Sequence, residues 1–328
     1  ASLVFSGMTG SAVADASGLG KMEIEAMRAE GYDDGFSCAI TAASATIGPI
    51  FPPSIPMVIY SMLTSASVGA LFMAGMVPGG LLAIALGIYV MIISKKRNYP
   101  KDPPPQLAAY LRYLLRALPA LLTPVILLIG IYTGVMTPTE AGAIAGLYAL
   151  VVAVLGYRML KWEGLKAVLI DTVKSTGSVS IMVGAASAIS FIFAKEQIGT
   201  MVGHWLLSIT DNKYVFLLMV NLIILLLGMF VDTSVIQLVM IPILWPVADA
   251  LGIDIIHFGL VIVFNMMVGL STPPFGMCLF ITSGISGTPL KEVVEEIWWP
   301  IVAMLIVLFL ITYFPGIVLF LPKMFHMM

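Results

Sequence analysis

Long apolar runs, some of them interrupted by glycine and proline, form the main hydropathy pattern of this chain. A helix that crosses a membrane needs about 20 apolar residues. Uninterrupted runs that meet this length, or nearly do, predict spanning helices at residues 70–94, 117–136, 141–157, 213–231 and 298–321. Residues 166–195 predict a further helix whose small residues, Gly177 to Ser190, allow close packing in a membrane. Residues 200–210 are too short to span and predict an interfacial segment.

Two longer apolar segments, 36–64 and 255–283, are broken at matching points. The breaks read Ile-Gly-Pro-Ile-Phe-Pro-Pro-Ser at 47–54 and Val-Gly-Leu-Ser-Thr-Pro-Pro-Phe at 268–275. Helix breakers at bilayer depth leave backbone groups that lipid cannot satisfy, so they are tolerated only inside protein or beside a cavity. Paired breaks in two halves of a chain indicate the ion and substrate site of a secondary transporter.

Residues 1–20 and 228–250 predict helical hairpins that enter the membrane and turn back. The first is small, polar and glycine-rich, and the second is interrupted by Pro242 and Pro246. One constant offset along the chain, called the repeat offset below, superposes residues that set backbone geometry: Gly7 on Gly228, Gly31 on Gly252, Asp33 on Asp254, Gly48 on Gly269 and Pro52-Pro53 on Pro273-Pro274. We interpret this match as two structural repeats, each a hairpin, a broken helix, a connector and a long helix. The offset does not distinguish parallel from inverted copies, and inverted copies are the commoner arrangement at broken-helix sites.

The repeat divides the chain into three predicted parts. Residues 1–100 form the first repeat, 101–227 a linker with scaffold helices, and 228–328 the second repeat. Membrane helices precede only the second copy, so we expect the chain to lack a comparable N-terminal block. The prolines at 103–105 predict a semi-rigid linker.

Local sequence signals orient the chain and assign one acidic residue. The basic run Lys95-Lys96-Arg97 predicts a cytoplasmic loop. Thr137-Pro138-Thr139-Glu140 has the pattern of a capping box, which favours a structural role for Glu140 over proton transport.

Composition agrees with a membrane protein and excludes several functions. The chain is 60% hydrophobic and 10% charged, with a mean hydropathy of +1.05, whereas a soluble domain is about a quarter charged. A net charge of −2 argues against nucleic-acid binding, which needs a basic surface. The two cysteines and three histidines lack metal-ligand spacing, and no enzyme motif is present in the sequence.

The breaks supply oxygen atoms of the kind that bind Na⁺, because unwound carbonyls and half-helix ends coordinate such ions in transporters. In the second copy the candidate ligands are the carbonyls of Gly228, Gly269 and Phe275 and the hydroxyl of Thr272. In the first copy they are the carbonyls of Gly48, Phe51 and Pro53, with Ser6 from the hairpin. The alternative is that these glycines and prolines only permit close helix packing. Two repeat-related breaks, each facing a hairpin, favour an ion site.

Four polar residues near the hairpins and breaks are candidate substrate ligands. Asp15 and Asp232 are the acidic residues closest to the hairpin tips, and intramembrane carboxylates are costly. Helix capping is the alternative for both. Ser44 and Asn265, which the repeat offset superposes, precede the breaks and bind either a substrate carboxylate or, as we favour, a neighbouring helix. Because the apolar spans contain no arginine, half-helix N-termini and hydroxyls must hold an anionic substrate.

Five segments of the sequence resemble the large membrane subunit of tripartite ATP-independent periplasmic (TRAP) transporters. They are 6–15 (Ser-Gly-Met-Thr-Gly-Ser-Ala-Val-Ala-Asp), 27–33, 41–56 with the first break, 137–141, and 269–274. The resemblance covers nearly the whole chain. It implies an elevator-type transporter with Na⁺ sites at the two pairs of hairpin and broken helix. It also implies a small four-helix membrane subunit and a soluble periplasmic binding protein as partners.

The resemblance implies Na⁺-coupled uptake of an organic acid across the bacterial inner membrane. Family substrates are C4-dicarboxylates, sialic acid and other sugar or keto acids. The alternatives are a stand-alone ion-coupled carboxylate carrier that needs no binding protein, and a membrane scaffold that does not transport.

Overall fold

The computed structural model describes residues 2–100, 107–158, 160–196, 201–202, 205 and 210–327. These residues form α-helices joined by turns, without a β-strand among them, as predicted for an all-α protein. Two compact units are present, one comprising Ala1–Pro100 with Ile189–Met328 and the other Lys101–Ala188. The predicted linker and most of the predicted interfacial segment, 200–210, lie outside the described residues.

Helices in the first hundred residues begin and end at the predicted turns. They are α1 (Ser2–Thr9), α2 (Ala12–Ala29), α3 (Asp34–Ala45), α4 (Ile55–Thr64) and α5 (Val68–Lys96). Serine hydroxyls cap α2, α4 and α5, each accepting a bond from the backbone N–H three residues on. Residues 46–54 lie in turns between α3 and α4, so the predicted first break is present.

Helices of the second unit are α6 (Leu107–Tyr132), α7 (Pro138–Val151), which continues in a π-helical turn (Val152–Gly156), and the first part of α8 (Trp162–Lys195). Tyr148 donates a hydrogen bond from its hydroxyl to the carbonyl of Pro119 in α6, at 3.0 Å. The capping box at the start of α7 is confirmed: Thr137 Oγ1 accepts from the N–H of Glu140, and Glu140 Oε2 accepts from the N–H of Thr137.

Helices of residues 213–324 complete the first unit. They are α9 (Lys213–Gly228), α10 (Thr233–Ala250), α11 (Ile255–Leu270), α12 (Met277–Ser286), α13 (Leu290–Tyr313) and α14 (Pro315–Met324). The second predicted break is present between α11 and α12.

Two sequence-based boundaries are wrong. Residues 233–250 form one helix instead of both arms of a hairpin, because the chain turns at 229–232 and continues as a helix through Pro242 and Pro246. The first arm of this hairpin is therefore α9. The predicted span 298–321 is two helices, since α13 ends at Tyr313 and Pro315, which has no N–H to donate, begins α14.

The helix bounds repeat along the chain with nearly the predicted spacing. The repeat offset carries both ends of α2 onto both ends of α10, and it carries the start of α3 onto the start of α11. Helices α12 and α13 each begin one position later than the offset places the starts of α4 and α5.

Packing in the first unit places α11 at its centre, with the side chains from Ile256 to Leu270 all buried. Contacts between helices occur in reciprocal pairs: α2 packs on α12 and α10 on α4, while α3 packs on α13 and α11 on α5. Helix α9, which the sequence assigned to the scaffold segment, packs on α11.

Arg28 at the end of α2 connects distant parts of the first unit. Its guanidinium donates from Nε and Nη2 to the carboxylate of Asp34, at 2.6 and 3.1 Å. Nη2 also lies 2.9 Å from both the carbonyl of Ser286 and Oγ1 of Thr288. These bonds fix the start of α3 against the connector between α12 and α13.

Arg97, just after α5, forms a second polar cluster in the same unit. It donates to Asp33 Oδ2 at 2.9 Å and to both carboxylate oxygens of Glu296 in α13, at 2.7 and 2.8 Å. Tyr99 donates its hydroxyl to Asp33 Oδ2 at 2.5 Å. Partial burial, followed by this contact with Asp33, raises the pKa of the Tyr99 hydroxyl.

Among the described residues, five helical segments are long and apolar enough to cross a membrane: Val68–Lys96, Leu111–Tyr132, Pro138–Gly156, Thr233–Ala250 and Leu290–Tyr313. The fold is therefore that of a multi-pass helical membrane protein.

Candidate ion and substrate site

The second break meets the turn of the second hairpin at backbone contact. A Cβ atom placed on Gly269 would lie 2.7 Å from both the carbonyl carbon and the Cα of Gly228. A Cβ on Gly228 would lie 3.2 Å from the Cα of Gly269. Real Cβ contacts are longer than the first distance, so a side chain at Gly269 would separate α9 from α11. The structure thus brings together two of the predicted carbonyl ligands.

Thr272 lies beside this contact, with only 5% of its surface exposed. Its backbone N–H donates to the carbonyl of Gly269 at 3.0 Å, and its hydroxyl donates to the carbonyl of Val268 at 2.7 Å. Because a hydroxyl has two acceptor lone pairs, Oγ1 still has electron pairs to offer a cation.

Phe275 forms the wall of a cavity beside the Gly228–Gly269 contact. The cavity has a volume of about 200 Å³ and is lined by Gly228, Met229, Phe230, Leu270, Phe275 and Phe280, among others. The ring of Phe275 lies 5.7 Å from that of Phe230, and 58% of Phe275 is exposed. The predicted ligands Gly228 and Phe275 thus border one space, which is mainly apolar.

The first break is a series of tight turns. Phe51 donates from its N–H to the carbonyl of Ile47 at 2.8 Å, and Ser54 donates its hydroxyl to the carbonyl of Pro49. Pro53 lies against the hairpin turn, because a Cβ on Gly10 would lie 2.8 Å from the Pro53 carbonyl oxygen. Each break therefore touches the turn of the hairpin in its own half of the chain. The side chain of Ser6, the predicted hydroxyl ligand, lies outside the described residues.

Gly48 lies next to Asp15 of the first hairpin. A Cβ on Gly48 would overlap Oδ2 of Asp15, so only glycine allows the carboxylate to approach the backbone of the break. Asp15 is 4% exposed, and its Oδ1 accepts a 2.6 Å hydrogen bond from the hydroxyl of Thr9. Oδ2 has no hydrogen-bond partner among the described atoms. Asp15 does not cap α2, since Ser11 does.

Asp232, the other acidic substrate candidate, caps α10. Its Oδ1 accepts a hydrogen bond from the backbone N–H of Ser234 at 2.8 Å, which is the capping alternative foreseen from the sequence. Ser11, which the repeat offset superposes on Asp232, holds the same capping position in the first copy. One oxygen of Asp232 is therefore occupied by a structural bond.

Ser44 and Asn265 both bond to neighbouring segments. Asn265 is fully buried, and its amide donates to the carbonyl and side-chain oxygens of Asn221 in α9, at 2.7 and 3.0 Å. Ser44 accepts a 2.9 Å bond from Ser2. These contacts agree with the favoured interpretation, in which both residues bond within the protein.

The cavity beside Ser44 does not suit an organic acid. It has a volume of about 460 Å³, and its lining includes Glu23 and Glu30. Two carboxylates would repel an anionic substrate. Ser44 is therefore a weaker substrate candidate than its position before the break suggests.

Three residues at these sites were missed from the sequence: Thr9, Gly10 and Asn221. Asn221 is a lone polar residue in an apolar run, which is a signal of helix–helix bonding that could have identified it. Thr9 and Gly10 have no counterpart in the repeat, because the repeat offset superposes them on Phe230 and Val231.

Comparison with known proteins agrees with this geometry. The family model of the tripartite ATP-independent periplasmic transporter, DctM component, matches residues 1–317. The chain belongs to this family.

Curated relatives of this DctM-family chain include permeases named for two classes of substrate. The sialic acid TRAP transporter large permease protein SiaM of Vibrio cholerae is 43% identical, over 99% of this chain and 76% of that protein. The sialic acid TRAP transporter permease protein SiaT of Haemophilus influenzae is 38% identical, over 99% of this chain and 53% of that protein. The C4-dicarboxylate TRAP transporter large permease protein DctM of Pseudomonas aeruginosa is 36% identical, over 98% and 76%.

Membership of the DctM family defines the setting in which the site operates. The chain is a multi-pass protein of the bacterial inner membrane. Large permeases of this family transport solutes together with a small membrane subunit and a periplasmic binding protein.

Proposed function

We propose that this DctM-family chain couples the inward Na⁺ gradient to the uptake of an organic acid delivered by a periplasmic binding protein. The observation that carries the proposal is the backbone contact between each helix break and the turn of a hairpin. Gly228 meets Gly269 in one pair, and Gly10 meets Pro53 in the other. Membrane proteins tolerate such unwound backbone where it is buried or borders a cavity, and transporters use it to bind ions.

Two structural repeats with inverted topology form the transporting unit in this proposal. The nearly constant spacing of helix bounds supports two copies of one fold. The reciprocal packing of α2 on α12 and α10 on α4 supports a pseudo-two-fold relation, because such an axis makes each contact occur twice. In inverted repeats that axis lies in the membrane plane. The repeats bear the two hairpins, and we infer that they move against scaffold helices as an elevator.

The oxygen atoms at each break suit Na⁺ as a co-transported ion. The second site takes the carbonyls of Gly228, Gly269 and Phe275 and the hydroxyl of Thr272. The first takes the carbonyls of Gly48, Phe51 and Pro53, with Ser6 as the hydroxyl. Carbonyl and hydroxyl oxygens are neutral ligands that release a monovalent ion as readily as they bind it.

The substrate in this proposal is an organic acid, because relatives are named for sialic acid and for C4-dicarboxylates. Helices α4 and α12 both begin at a break, at Ile55 and Met277. The first backbone N–H groups of a helix have no intrahelical partner, and the helix dipole favours negative charge there. These N-termini can hold the substrate carboxylate without an arginine.

The binding protein and a small four-helix membrane subunit are the proposed partners. Exchange of one binding protein for another would then alter the acid that the permease receives.

Replacement of Thr272 tests the Na⁺ proposal, and Thr282 provides a matched control. Both threonines are buried, and each donates its hydroxyl to the carbonyl four residues earlier, but Thr282 lies within α12. Uptake would be measured in proteoliposomes against Na⁺ concentration. We expect Thr272→Ala to raise the half-saturating Na⁺ concentration about tenfold, the effect of one lost ligand of about 1.4 kcal/mol, and Thr282→Ala to leave it unchanged. Equal Na⁺ dependence of the wild type and Thr272→Ala would remove Thr272 from the ion site.

A further inference from the structure

The two ion sites differ in charge, and this difference rests on the proposed Na⁺ coupling. We propose that the carboxylate of Asp15 supplies a fixed negative charge to the ion site at the first break, whereas the second site is built from neutral oxygens alone. The repeat offset superposes Asp15 on Ile236, which is buried and apolar. The second copy therefore does not reproduce the charge.

The first observation is the position of Oδ2. It occupies the place that a Cβ would take on Gly48, and the carbonyl oxygen of Ala45 lies 3.3 Å from the same place. Two oxygens thus converge on the backbone of the break, at a residue whose own carbonyl is a predicted Na⁺ ligand. The side-chain oxygen faces the unwound segment.

The second observation is the hydrogen bonding of Asp15. The 2.6 Å bond from Thr9 to Oδ1 has the length of a bond between a hydroxyl and an ionised carboxylate. A protonated carboxyl group would need an acceptor for its own proton, and Oδ2 has no partner among the described atoms. The geometry therefore favours an ionised side chain.

The third observation is the lack of a compensating side chain. Asp15 takes part in none of the ion pairs formed by the described residues. Glu23, on the same helix, adds further negative potential at Asp15. A buried carboxylate without a cation is costly, and its neutralisation needs a positive ion. A monovalent cation at the first break provides that charge in the same place where the carbonyls are unwound.

The charge difference predicts two classes of Na⁺ binding. Coulomb attraction over about 4 Å is worth several kcal/mol even at an effective dielectric constant of about 20. The site with Asp15 should therefore bind Na⁺ more tightly than the site with Thr272.

Removal of the charge tests this inference. Binding of radioactive Na⁺ would be measured at equilibrium on the purified transporter in nanodiscs, for wild type, Asp15→Asn and Asp254→Asn. Asp254 caps α11 through two backbone N–H groups, which asparagine can also accept, so it controls for the loss of a carboxylate away from the breaks. We expect Asp15→Asn to weaken one equivalent of Na⁺ at least about tenfold and to leave the Thr272-dependent equivalent unchanged. Asp254→Asn should bind Na⁺ as the wild type does.

Other outcomes separate this inference from the proposed function. If wild type and Asp15→Asn bind the same number of Na⁺ ions with the same affinities, Asp15 is not part of the site, while Na⁺ coupling stands. If the wild type binds no Na⁺, both proposals fail. Should Asp15→Asn not fold, Thr9→Val decides: loss of the bond that holds Oδ1 should weaken the same equivalent about tenfold, and an unchanged affinity would overturn the inference.

Discussion

Replacement of Gly269 by alanine is expected to separate the second helix break from its hairpin. The new Cβ would lie 2.7 Å from two backbone atoms of Gly228. Ordinary carbon–carbon contact is about 3.5 Å or more, so α9 and α11 must move apart by roughly 0.8 Å. The obstructing atoms are backbone, which cannot rotate away as a flexible side chain can. Overpacking of this kind costs about 1–3 kcal/mol.

The cost should appear in both stability and Na⁺ affinity, because the strained contact joins two proposed ion ligands. If the strain falls on the ion-bound state, the half-saturating Na⁺ concentration should rise between about fivefold and a hundredfold. Thermal unfolding of the purified protein in nanodiscs, measured over a range of Na⁺ concentrations, reports both quantities. Gly228→Ala should have a smaller effect, since its Cβ would lie 3.2 Å from Gly269.

Gly284→Ala is the matched control for Gly269→Ala. Gly284 lies in α12, is exposed, and a Cβ there would have no other atom within 4 Å. Alanine should be neutral or stabilise α12 by up to about 1 kcal/mol. The reasoning is refuted if Gly269→Ala unfolds at the wild-type temperature and responds to Na⁺ as the wild type does.

Two further substitutions test the packing of the repeats. Arg28→Lys should lower the free energy of unfolding by about 1–2 kcal/mol, because a lysine cannot bond to a carboxylate and to the Ser286 carbonyl as the arginine fork does; an unfolding temperature equal to that of the wild type would contradict this role. Asn221→Ala and Asn265→Ala should not be additive in a double-mutant cycle of unfolding, with a coupling of about 0.5–3 kcal/mol, because each amide is a partner of the other; strictly additive effects would mean that the bond adds nothing to stability.

The helical elements were predictable because glycine, proline and cap residues act locally. The break at 47–54, the turn at Gly31 and the capping box at Thr137 each follow from residues within a few positions of one another. The second hairpin was misplaced because Pro242 and Pro246 suggest a break, although prolines are tolerated inside membrane helices when neighbouring groups satisfy the freed carbonyls. Packing decided that boundary, and packing is not local.

Contacts in the candidate site were only partly predictable. The repeat offset pointed to Gly228 and Gly269, which the structure brings into contact. The same offset could not identify Thr9 beside Asp15 or Gly10 beside Pro53, because these contacts belong to one copy alone. Likewise, the sequence left Asp232 undecided between capping and substrate binding, and a single backbone bond to Ser234 identifies the cap.

Uptake of labelled organic acids into proteoliposomes tests the central claim most directly. The permease would be reconstituted with its small membrane subunit, with and without the binding protein, and with and without an inward Na⁺ gradient. The proposed function predicts accumulation of sialic acid, a C4-dicarboxylate or a related acid only when the binding protein and the gradient are both present. Accumulation without binding protein would indicate a stand-alone carrier, and accumulation that does not depend on Na⁺ would contradict the ion sites at the two helix breaks.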